Sequence, residues 1–366
     1  MEYFASAAFA LEGIAAQELR QMGITPSIQE NRVFFSGGEK LLARACIGMR
    51  SADRIYRHIV SGRAESFDAL FDLTYSAQWQ EIISRYGRIN VSAACSRSQL
   101  MSVPDIQSIV KKGIIKKLQN KYRQNTFDET GEVYSVFASI QNNHAVIALD
   151  ACGAGLHKRG YRIKNVPAPL RETTAAALLE IIGYKGGPLY DPFCGSGTIA
   201  IEGALKAFNI APGINRSFES ERWLESNRQV WLDERERAAA NKRPIEKGLI
   251  IASDISEDML AAARFHAARA GVAEGIKFLR RQVSEFESSG KGFLVTNPPY
   301  GKRLADINSA RAVYKDMSLS IRPLLNEISL GVITPDGEFE RIFGRRAVKK
   351  RRIFNGNIQC NYYMYY

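Results

Sequence analysis

Apolar residues recur at helical spacing in several stretches of the first half of this 366-residue chain. Within 9–22 they repeat every three to four positions, and Gly23 follows as a helix stop. Within 103–122 the same spacing marks one face of a long amphipathic helix that begins near Pro104. Shorter runs of alternating or continuous apolar residues predict strands. The patterns predict helices over 9–22, 39–49, 67–83 and 103–122, and strands over 31–36, 88–94, 132–140 and 145–149.

The second half alternates strand and helix patterns, which is typical of a doubly wound α/β domain. Asn355-Gly356 near the end is a turn dipeptide between two strand patterns and predicts a hairpin. Between the halves, the Gly, Pro and basic residues of 153–169 indicate an interdomain connection. The predicted helices cover 171–182 and 198–208, and the predicted strands cover 188–190, 249–252, 276–279, 292–296, 329–333, 351–354 and 357–365.

Composition excludes several classes of protein. No run of about eighteen apolar residues is present, so we expect no membrane span. Glu2 stands where a secretory signal would need basic residues, so we expect no such signal. The five cysteines form no CxxC pair and the four histidines form no HxxxH pair. We therefore expect a protein of the reducing cytoplasm with no disulfide framework and no metal site.

The net charge of +12 is spread over the whole chain. Residues 1–165 hold 21 Lys and Arg against 15 Asp and Glu, and residues 166–366 hold 29 against 23, so each half carries an excess of six. Such a surface suits a polyanionic partner, and nucleic acid is the commonest one in the cytoplasm. The alternative is a soluble protein that is basic for no functional reason.

A glycine-rich run, Asp191-Pro192-Phe193-Cys194-Gly195-Ser196-Gly197-Thr198, follows a predicted strand and opens a predicted helix. Two of its glycines, with Ala200, match the G-x-G-x-x-A spacing that brings backbone close to a bound nucleotide. Glycine pairs at strand–helix turns also occur for steric reasons alone. A carboxylate at the start of the run, Asp191, suits an ammonium group on the ligand better than a pyrophosphate.

A second carboxylate, Asp254, ends the next predicted strand, where an acid can accept hydrogen bonds from ribose hydroxyls. The alternative is that Asp254 caps a helix, since Ser256-Glu257-Asp258 follows. The separation of 63 positions from Asp191 to Asp254 exceeds the roughly twenty of a dinucleotide-binding fold. This spacing predicts an insertion between the two strands.

Asn297-Pro298-Pro299-Tyr300 follows the apolar run 293–295, at the end of a predicted strand where ligand crevices open in such sheets. An Asn side-chain oxygen and a backbone carbonyl next to proline are two acceptors that can face a planar amino group. The prolines stiffen the backbone, and the tyrosine ring can stack on a base. The alternative, a rigid turn with a packed tyrosine, is less favoured because the glycine-rich run lies upstream.

These two runs resemble the cofactor and catalytic motifs of S-adenosylmethionine-dependent amino-methyltransferases. The chain also resembles the THUMP-containing RNA guanine-N2 methyltransferases of the RlmL type. This second resemblance rests on the connection 156–162 and 168–173, residues 210–213 and 216–218, Trp223 and the end 351–356. The resemblance is closest over 153–366. Over 1–150 it rests on the order of elements and on the basic helix.

The resemblance implies an α/β fold with a Rossmann-like class I methyltransferase domain, whose mostly parallel sheet ends in an antiparallel hairpin. It places α+β THUMP and ferredoxin-like segments before that domain. The implied divisions are a ferredoxin-like segment over 1–55, a THUMP RNA-binding domain over 56–155, a linker over 156–170 and the methyltransferase domain over 171–366. The family's longer members carry a second methyltransferase domain, and we expect no counterpart of it within these 366 residues.

The resemblance also implies S-adenosylmethionine as cofactor and assigns residues to it. Glu285 stands where these enzymes usually carry an Asp for the adenine amino group. The implied cofactor-binding residues are Thr173, Asp191, Pro192, Phe193, Cys194, Gly195, Ser196, Gly197, Thr198, Asp254, Ile255 and Glu285. The implied catalytic residues are Asn297, Pro298, Pro299 and Tyr300.

Clusters of basic residues are candidates for phosphate contact. Residues 111–123 carry six Lys or Arg and no acid, although such a run can also be a solvated helix face. The denser segment 345–352 is predicted to lie beside the catalytic face. The candidate RNA-binding residues are Lys112, Lys116, Lys117, Lys158, Arg159, Arg345, Arg346, Lys349 and Lys350.

Together these features predict a cytoplasmic enzyme that makes N2-methylguanosine in RNA, with 23S ribosomal RNA as the predicted substrate and no membrane or metal partner. A tRNA guanine-N2 methyltransferase of the same architecture is the nearest alternative. DNA adenine-N6 methyltransferases use the same catalytic tetrapeptide, but the RNA-type first half argues against that activity. A non-catalytic RNA-binding or ribosome assembly factor is disfavoured by the intact motifs.

Overall fold

The computed structural model describes residues 1–162, 170–301 and 304–366. Part of the predicted linker, residues 163–169, lies outside them. The elements of the first half are β1 (Glu2–Ala7), α1 (Glu12–Gln21), β2 (Pro26–Gln29), β3 (Arg32–Ser36), α2 (Glu39–Gly48), β4 (Ala52–Arg63), α3 (Phe67–Ser76), β5 (Arg88–Ser96), α4 (Val103–Tyr122), β6 (Val133–Gln141) and β7 (His144–Asp150).

Local sequence signals explain several of these boundaries. Ser66 caps α3, because its hydroxyl oxygen accepts a hydrogen bond from the backbone N–H of Ala69 at 3.1 Å. Pro104 lies in the first turn of α4, where no backbone donor is needed. Asn142 and Asn143 adopt positive φ angles of 50° and 62° and form the turn between β6 and β7.

The first half forms one seven-stranded sheet with the order β2-β3-β1-β4-β7-β6-β5. The long strand β4 pairs antiparallel with β1 through Ala52–Arg57 and with β7 through Tyr56–Arg63. The expected division between the ferredoxin-like and THUMP segments, at residue 55, therefore falls inside a strand that belongs to both. The two segments share one sheet and one core.

The elements of the second half are α5 (Glu172–Ile181), β8 (Leu189–Asp191), α6 (Thr198–Ala207), α7 (Arg228–Ala240), β9 (Ile250–Asp254), α8 (Glu257–Arg269), β10 (Ile276–Arg280), β11 (Gly292–Thr296), α9 (Leu304–Ser320), β12 (Ile328–Thr334), α10 (Phe339–Phe343), β13 (Lys349–Asn355) and β14 (Ile358–Tyr365). Their sheet has the order β10-β9-β8-β11-β12-β14-β13. The neighbouring strands from β10 to β12 are parallel, and β14 is antiparallel to both β12 and β13. The expected fold class, a Rossmann-like sheet ending in an antiparallel hairpin, is confirmed.

The predicted insertion between β8 and β9 packs on the first half of the chain. The indole of Trp231 in α7 is fully buried there and donates to a carboxylate oxygen of Glu39 at 2.9 Å. Phe218 and Trp223, which precede α7, join the same hydrophobic core as the first sheet. The insertion therefore fastens the methyltransferase domain to the first sheet.

Buried polar groups reinforce this junction. The Glu18 carboxylate, on α1, accepts hydrogen bonds from the backbone N–H groups of Arg50 and Ser51, both at 3.1 Å. The Arg50 guanidinium in turn donates to the carbonyl oxygens of Leu205 and Ile210, beyond the junction.

In the described ranges, no helix is both long enough and apolar enough to cross a membrane.

Candidate active site

A cavity of about 940 Å³ opens at the carboxyl ends of β8, β9, β10 and β11. This is the edge of an open α/β sheet at which ligands bind. The predicted site residues that line it are Asp191, Pro192, Phe193, Cys194, Gly195, Ser196, Thr198, Asp254, Ile255, Glu285, Asn297 and Pro299. Two motifs that lie about a hundred residues apart in the chain thus share one cavity.

The glycine-rich run forms a tight turn into α6. Gly195 and Gly197 have φ angles of 52° and 86°, which residues with a Cβ rarely adopt. A Cβ at Gly197 would also lie 3.0 Å from the Cβ of Ala263 in α8, so this glycine permits close packing rather than lining the cavity. The backbone N–H of Cys194 donates to the Ser253 carbonyl at 2.9 Å and ties the turn to β9.

Asp191 is a buried carboxylate that faces the cavity. Its Oδ1 accepts a hydrogen bond from the Thr296 hydroxyl at 2.7 Å, which joins the ends of β8 and β11. Burial, with a smaller contribution from the negative charge of Asp254, raises the pKa of Asp191 to about 7, although the Thr296 and Phe193 hydrogen bonds act in the opposite direction. A cationic ligand group in the cavity would stabilise the ionised form.

Asp254 holds the glycine-rich turn in place. Its Oδ2 accepts from the Gly195 N–H and its Oδ1 from the Ser256 N–H, each at 2.9 Å. The cap of α8 is Ser256, whose hydroxyl oxygen accepts from the Met259 N–H at 3.3 Å. The helix-cap alternative therefore does not account for Asp254, whose carboxylate lines the cavity.

Beyond Asp254 the cavity wall is partly apolar. The Ile255 side chain is 66% exposed beside the cavity, as expected of a residue that would lie against a flat ring. Glu285 also lines it, and its carboxylate accepts from the Gln282 N–H at 3.1 Å. The lining residues that were not predicted include Met259, Arg280, Arg281, Gln282, Val283, Val313 and Asp316. The position of 280–283 at and directly after the end of β10 was the available signal, since this is again a carboxyl end.

The Asn297–Tyr300 run is held by hydrogen bonds on both sides. The Tyr300 hydroxyl donates to Asn297 Oδ1 at 2.8 Å and accepts from Asn355 Nδ2 at 2.7 Å. The Tyr314 hydroxyl donates to the Pro299 carbonyl at 3.2 Å. An amide oxygen has two lone pairs, so Asn297 Oδ1 can accept a second hydrogen bond. Burial raises the pKa of Tyr300, which keeps its hydroxyl neutral.

Thr173 is not brought to this cavity, although it was predicted to contact the cofactor. Its hydroxyl donates to Asp53 Oδ1 at 2.6 Å, on β4 of the first half. The side chain is buried in the junction, so its role here is to connect the two halves.

Arg159, which was predicted to contact RNA, lies instead inside the junction of the two halves. Arg159 is buried, its guanidinium lies 3.4 Å from a carboxylate oxygen of Glu202, and it donates to the carbonyls of Leu156 and Arg50. All three partners belong to the junction of the two halves. The neighbouring Lys158 is exposed and stays a candidate.

The lysines of α4 lie on the surface next to aromatic rings of α3. Lys112 and Lys116 are exposed. The Nζ atoms of Lys112 and Lys117 lie 6.0 Å from the centroid of Phe71 and 4.9 Å from that of Tyr75. Cations beside aromatic rings suit a nucleic-acid surface.

The second basic segment contains Arg345, Arg346, Lys349 and Lys350, all of which are exposed. Lys349 and Lys350 begin β13, the edge strand, which β12 and β14 separate from β11. The segment therefore starts at the outer edge of the sheet and not beside the catalytic motif as expected. Its contact with RNA stays a prediction.

Comparison with protein-family models places three domains along the chain. The RMKL-like methyltransferase domain matches residues 159–364, the RlmL ferredoxin-like domain residues 2–56 and the THUMP domain residues 64–150. The chain belongs to the RMKL-like methyltransferase family. The resemblance found in the motifs is thereby confirmed.

Individual relatives agree with this membership. The chain is 40% identical over 369 residues to YpsC of Bacillus subtilis, described as a candidate RNA methyltransferase, and the match covers 99% of the chain and 95% of YpsC. It is 31% identical to the ribosomal RNA large subunit methyltransferase K/L of Syntrophotalea carbinolica, where the match covers 98% of the chain and 53% of that protein. The chain thus spans about half the length of the K/L relative.

A solved structure connects the family to its cofactor. SMU.472, a candidate methyltransferase in complex with SAH, superposes with a TM-score of 0.94 at 32% identity, covering 100% of this chain and 97% of that one. SAH is the product that S-adenosylmethionine leaves after methyl transfer. The expected cofactor, S-adenosylmethionine, is confirmed by this neighbour and by the methyltransferase domain, and the cavity with its buried carboxylate fits a ligand that carries positive charge.

Proposed function

We propose that the protein methylates the exocyclic N2 amine of a guanine in RNA, and that the RNA is 23S ribosomal RNA. The observation that carries this proposal is the shared cavity, in which the acceptor side chain of Asn297 lies with the glycine-rich turn. The THUMP domain in the same chain and the names of the K/L relatives support RNA as the substrate.

The glycine-rich turn and the carboxyl ends of β9 and β10 are the proposed binding site of the methyl donor. Asp191 and the turn 192–198 would hold the methionine part of S-adenosylmethionine, Asp254 its ribose, and Ile255 and Glu285 its adenine. When bound, the cofactor supplies an electrophilic methyl group. The chain's own residues align the acceptor nitrogen and exclude water around it.

Asn297 and Pro298 act on the guanine amine. The N2 lone pair is delocalised into the ring, so the amine is a poor nucleophile. Two hydrogen bonds, from the amine to Asn297 Oδ1 and to the Pro298 carbonyl, favour a pyramidal nitrogen and free that lone pair. The Pro299 carbonyl already accepts from Tyr314, which leaves Pro298 as the backbone acceptor of the pair. Preorganised acceptors of this kind stabilise the transition state more than the ground state.

A paired guanine has to leave its stack to reach this site. The Tyr300 ring is the stacking surface in the proposal, and its hydroxyl is held by Asn297 and Asn355. RNA capture falls to the first half, with the α4 lysines as phosphate contacts. The divisions 1–55, 56–155, 156–170 and 171–366 stay proposals for the domain limits, with the shared strand β4 across the first of them.

The test of the proposed function is product mapping. The purified protein, S-adenosylmethionine and either large-subunit ribosomal RNA or tRNA from a strain that lacks the enzyme are incubated, and modified nucleosides are identified by mass spectrometry. We expect N2-methylguanosine in the ribosomal RNA. N2-methylguanosine in tRNA alone would show that tRNA, and not ribosomal RNA, is the substrate. N6-methyladenine would show that the target base is adenine. The absence of any methylated product would favour a non-catalytic RNA-binding factor.

Asn297→Ala tests the chemical step. We expect a single-turnover rate at least about a hundredfold lower, roughly the effect of removing one preorganised polar group at a transition state. Affinities for the cofactor and for RNA should stay near those of the wild type, because in the proposal the target amine is the only part of either substrate that Asn297 contacts. A rate within threefold of the wild type would contradict the assigned mechanism and leave the cofactor assignment intact.

A further inference from the structure

A second cleft, of about 470 Å³, lies where the two halves meet the β13–β14 hairpin. Four parts of the chain build it: the loop before α1, the start of β4, the start of α5 and the hairpin turn. Its volume is in the range of small-ligand pockets. It is lined by Ala8, Phe9, Asp53, Arg171, Thr174, Phe354, Gly356 and Asn357.

Two aromatic rings face each other at this cleft. The Phe9 side chain is 58% exposed, and its ring centroid lies 5.8 Å from that of Phe354 in an edge-to-face arrangement. Phenylalanine is normally buried, so an exposed ring paired with a second ring marks a surface suited to a flat ligand.

The loop that presents Phe9 has a strained backbone. The next residue, Ala10, has a φ of 66°, a left-handed conformation that is costly for a residue with a Cβ. The Arg351 guanidinium, on β13, donates to the Ala10 carbonyl and fixes the loop against the hairpin. The exposed ring is therefore held in position by the methyltransferase domain.

The hairpin turn connects the wall of this cleft to the catalytic motif. Asn355, whose amide donates to the Tyr300 hydroxyl, stands between Phe354 and Gly356, which both line the cleft. A ligand in the cleft and a base beside Tyr300 would therefore both lie next to the hairpin turn.

A cation stands at the same cleft. The Arg171 side chain is 53% exposed, and its guanidinium lies 3.7 Å from a carboxylate oxygen of Asp53. Asp53 also accepts from Thr173, so its charge is shared and the guanidinium keeps an open face. An exposed arginine next to aromatic rings can contact a phosphate while a base lies on the rings.

We propose that this cleft binds a nucleotide that flanks the target guanine in the RNA. The base lies against Phe9 and Phe354, and Arg171 contacts its phosphate. This inference rests on the proposed function, because it takes RNA as the substrate. It assigns to the first half of the chain a residue, Phe9, that sets which unpaired RNA segment reaches Tyr300.

Substitutions at Phe9 test the stacking surface. Phe9→Ala should raise the Kd for 23S ribosomal RNA from the deficient strain by roughly tenfold to a hundredfold, the range for losing one base–aromatic stack. Phe9→Tyr is the matched control, because it keeps the ring, and should bind within about threefold of the wild type. The affinity for S-adenosylmethionine should be unchanged in both variants.

A substrate change separates stacking from a general loss of binding. After the target guanine has been mapped, short RNAs with an abasic site at each flanking position are compared. One such site should weaken binding to the wild type and have no further effect on Phe9→Ala, because both changes remove the same contact. Arg171→Gln should lower the slope of log Kd against log salt by about one.

The outcomes are distinguishable. If the wild type methylates a guanine in RNA and Phe9→Ala binds that RNA as tightly as the wild type does, the cleft is not a nucleotide site and the proposed function stands. Additive effects of the abasic site and of Phe9→Ala would also overturn the inference. If the wild type methylates no RNA guanine, both proposals fail.

Discussion

At the scale of single residues, the Tyr300 hydroxyl has a role that the sequence motif does not reveal. The motif suggests a ring that stacks on a base, whereas the hydroxyl bridges Asn355 and Asn297. Because it donates to Asn297 Oδ1, it determines which way the amide of Asn297 points. A correct amide orientation is necessary for accepting a hydrogen bond from an amine.

Tyr300→Phe should therefore lower the single-turnover rate by roughly twofold to tenfold, the effect of losing one hydrogen bond of about 0.5–1.5 kcal/mol. Tyr300→Ala should have a much larger effect, because the ring is lost as well. Both rates are measured with RNA and cofactor at saturation. If Tyr300→Phe had the wild-type rate while Tyr300→Ala had a much lower one, the ring alone would account for the contribution of Tyr300 to the rate, and the hydroxyl would have no such role.

Asp191 predicts a pH dependence of cofactor binding. With its pKa near 7 in the ligand-free protein, only about a tenth of Asp191 is ionised at pH 6. A cationic ligand prefers the ionised form, so the affinity for S-adenosylmethionine should rise with pH, by up to about tenfold per unit, and level off near pH 7. Calorimetry between pH 5.5 and 7 measures this slope, and Asp191→Asn should remove it. An undiminished slope in Asp191→Asn would assign the titration to another group.

The same shift affects stability with the opposite trend. The folded protein keeps the proton of Asp191 up to a pH of about 7, whereas an unfolded chain loses it near the ordinary value of 3.8. Between these values the folded state binds more protons, so rising pH lowers the contribution of Asp191 to stability. Bound cofactor should reduce this loss.

At the scale of elements, α4 is the candidate RNA-binding helix. Reversing charge at Lys112, Lys116 and Lys117 should weaken RNA binding and flatten its salt dependence, since fewer counterions would be released. Cofactor affinity should not change. The matched control is the same reversal at three exposed lysines of the other half, Lys242, Lys247 and Lys277. Equal slopes in the two triple variants would show that α4 is a solvated face.

Elements with a clear apolar period could be predicted from the sequence, and those set by tertiary pairing could not. The predicted helix 103–122 coincides with α4, and the predicted strand 292–296 coincides with β11. Strand β4 was missed because its polar residues, such as Arg57 and His58, give no simple alternation. It is extended because β1 and β7 pair with its two edges.

The same distinction applies to the site. Asp191, Asp254 and Asn297 could be predicted, because each directly follows or ends a strand at one edge of the sheet. The burial of Arg159 could not be predicted, since its partner Glu202 lies 43 residues away in the chain and nothing local indicates the pair. The hydrogen bond from Asn355 to Tyr300 spans 55 residues and was equally hidden.

At the scale of the whole molecule, the two halves are joined by more than the connection between them. The Arg50 guanidinium donates to the carbonyls of Leu205 and Ile210 in the second half, and the Arg159 guanidinium donates to the carbonyl of Arg50 in the first half. Removing the hydrogen-bond partners of such a buried guanidinium leaves its charge unpaired, which strongly destabilises the folded state. The halves are therefore expected to keep a fixed relative orientation, so that the RNA-binding surface and the cavity act at a constant separation.

The placement of Trp231 also bears on the order in which the chain folds during synthesis. Domains generally fold from the N-terminus as they leave the ribosome. The core around the first sheet, however, includes Phe218, Trp223 and Trp231, which are translated some 70 to 80 residues after β7. Until those residues emerge, the nascent first half exposes the apolar surface that they will cover, and its final packing waits for the insertion inside the second half.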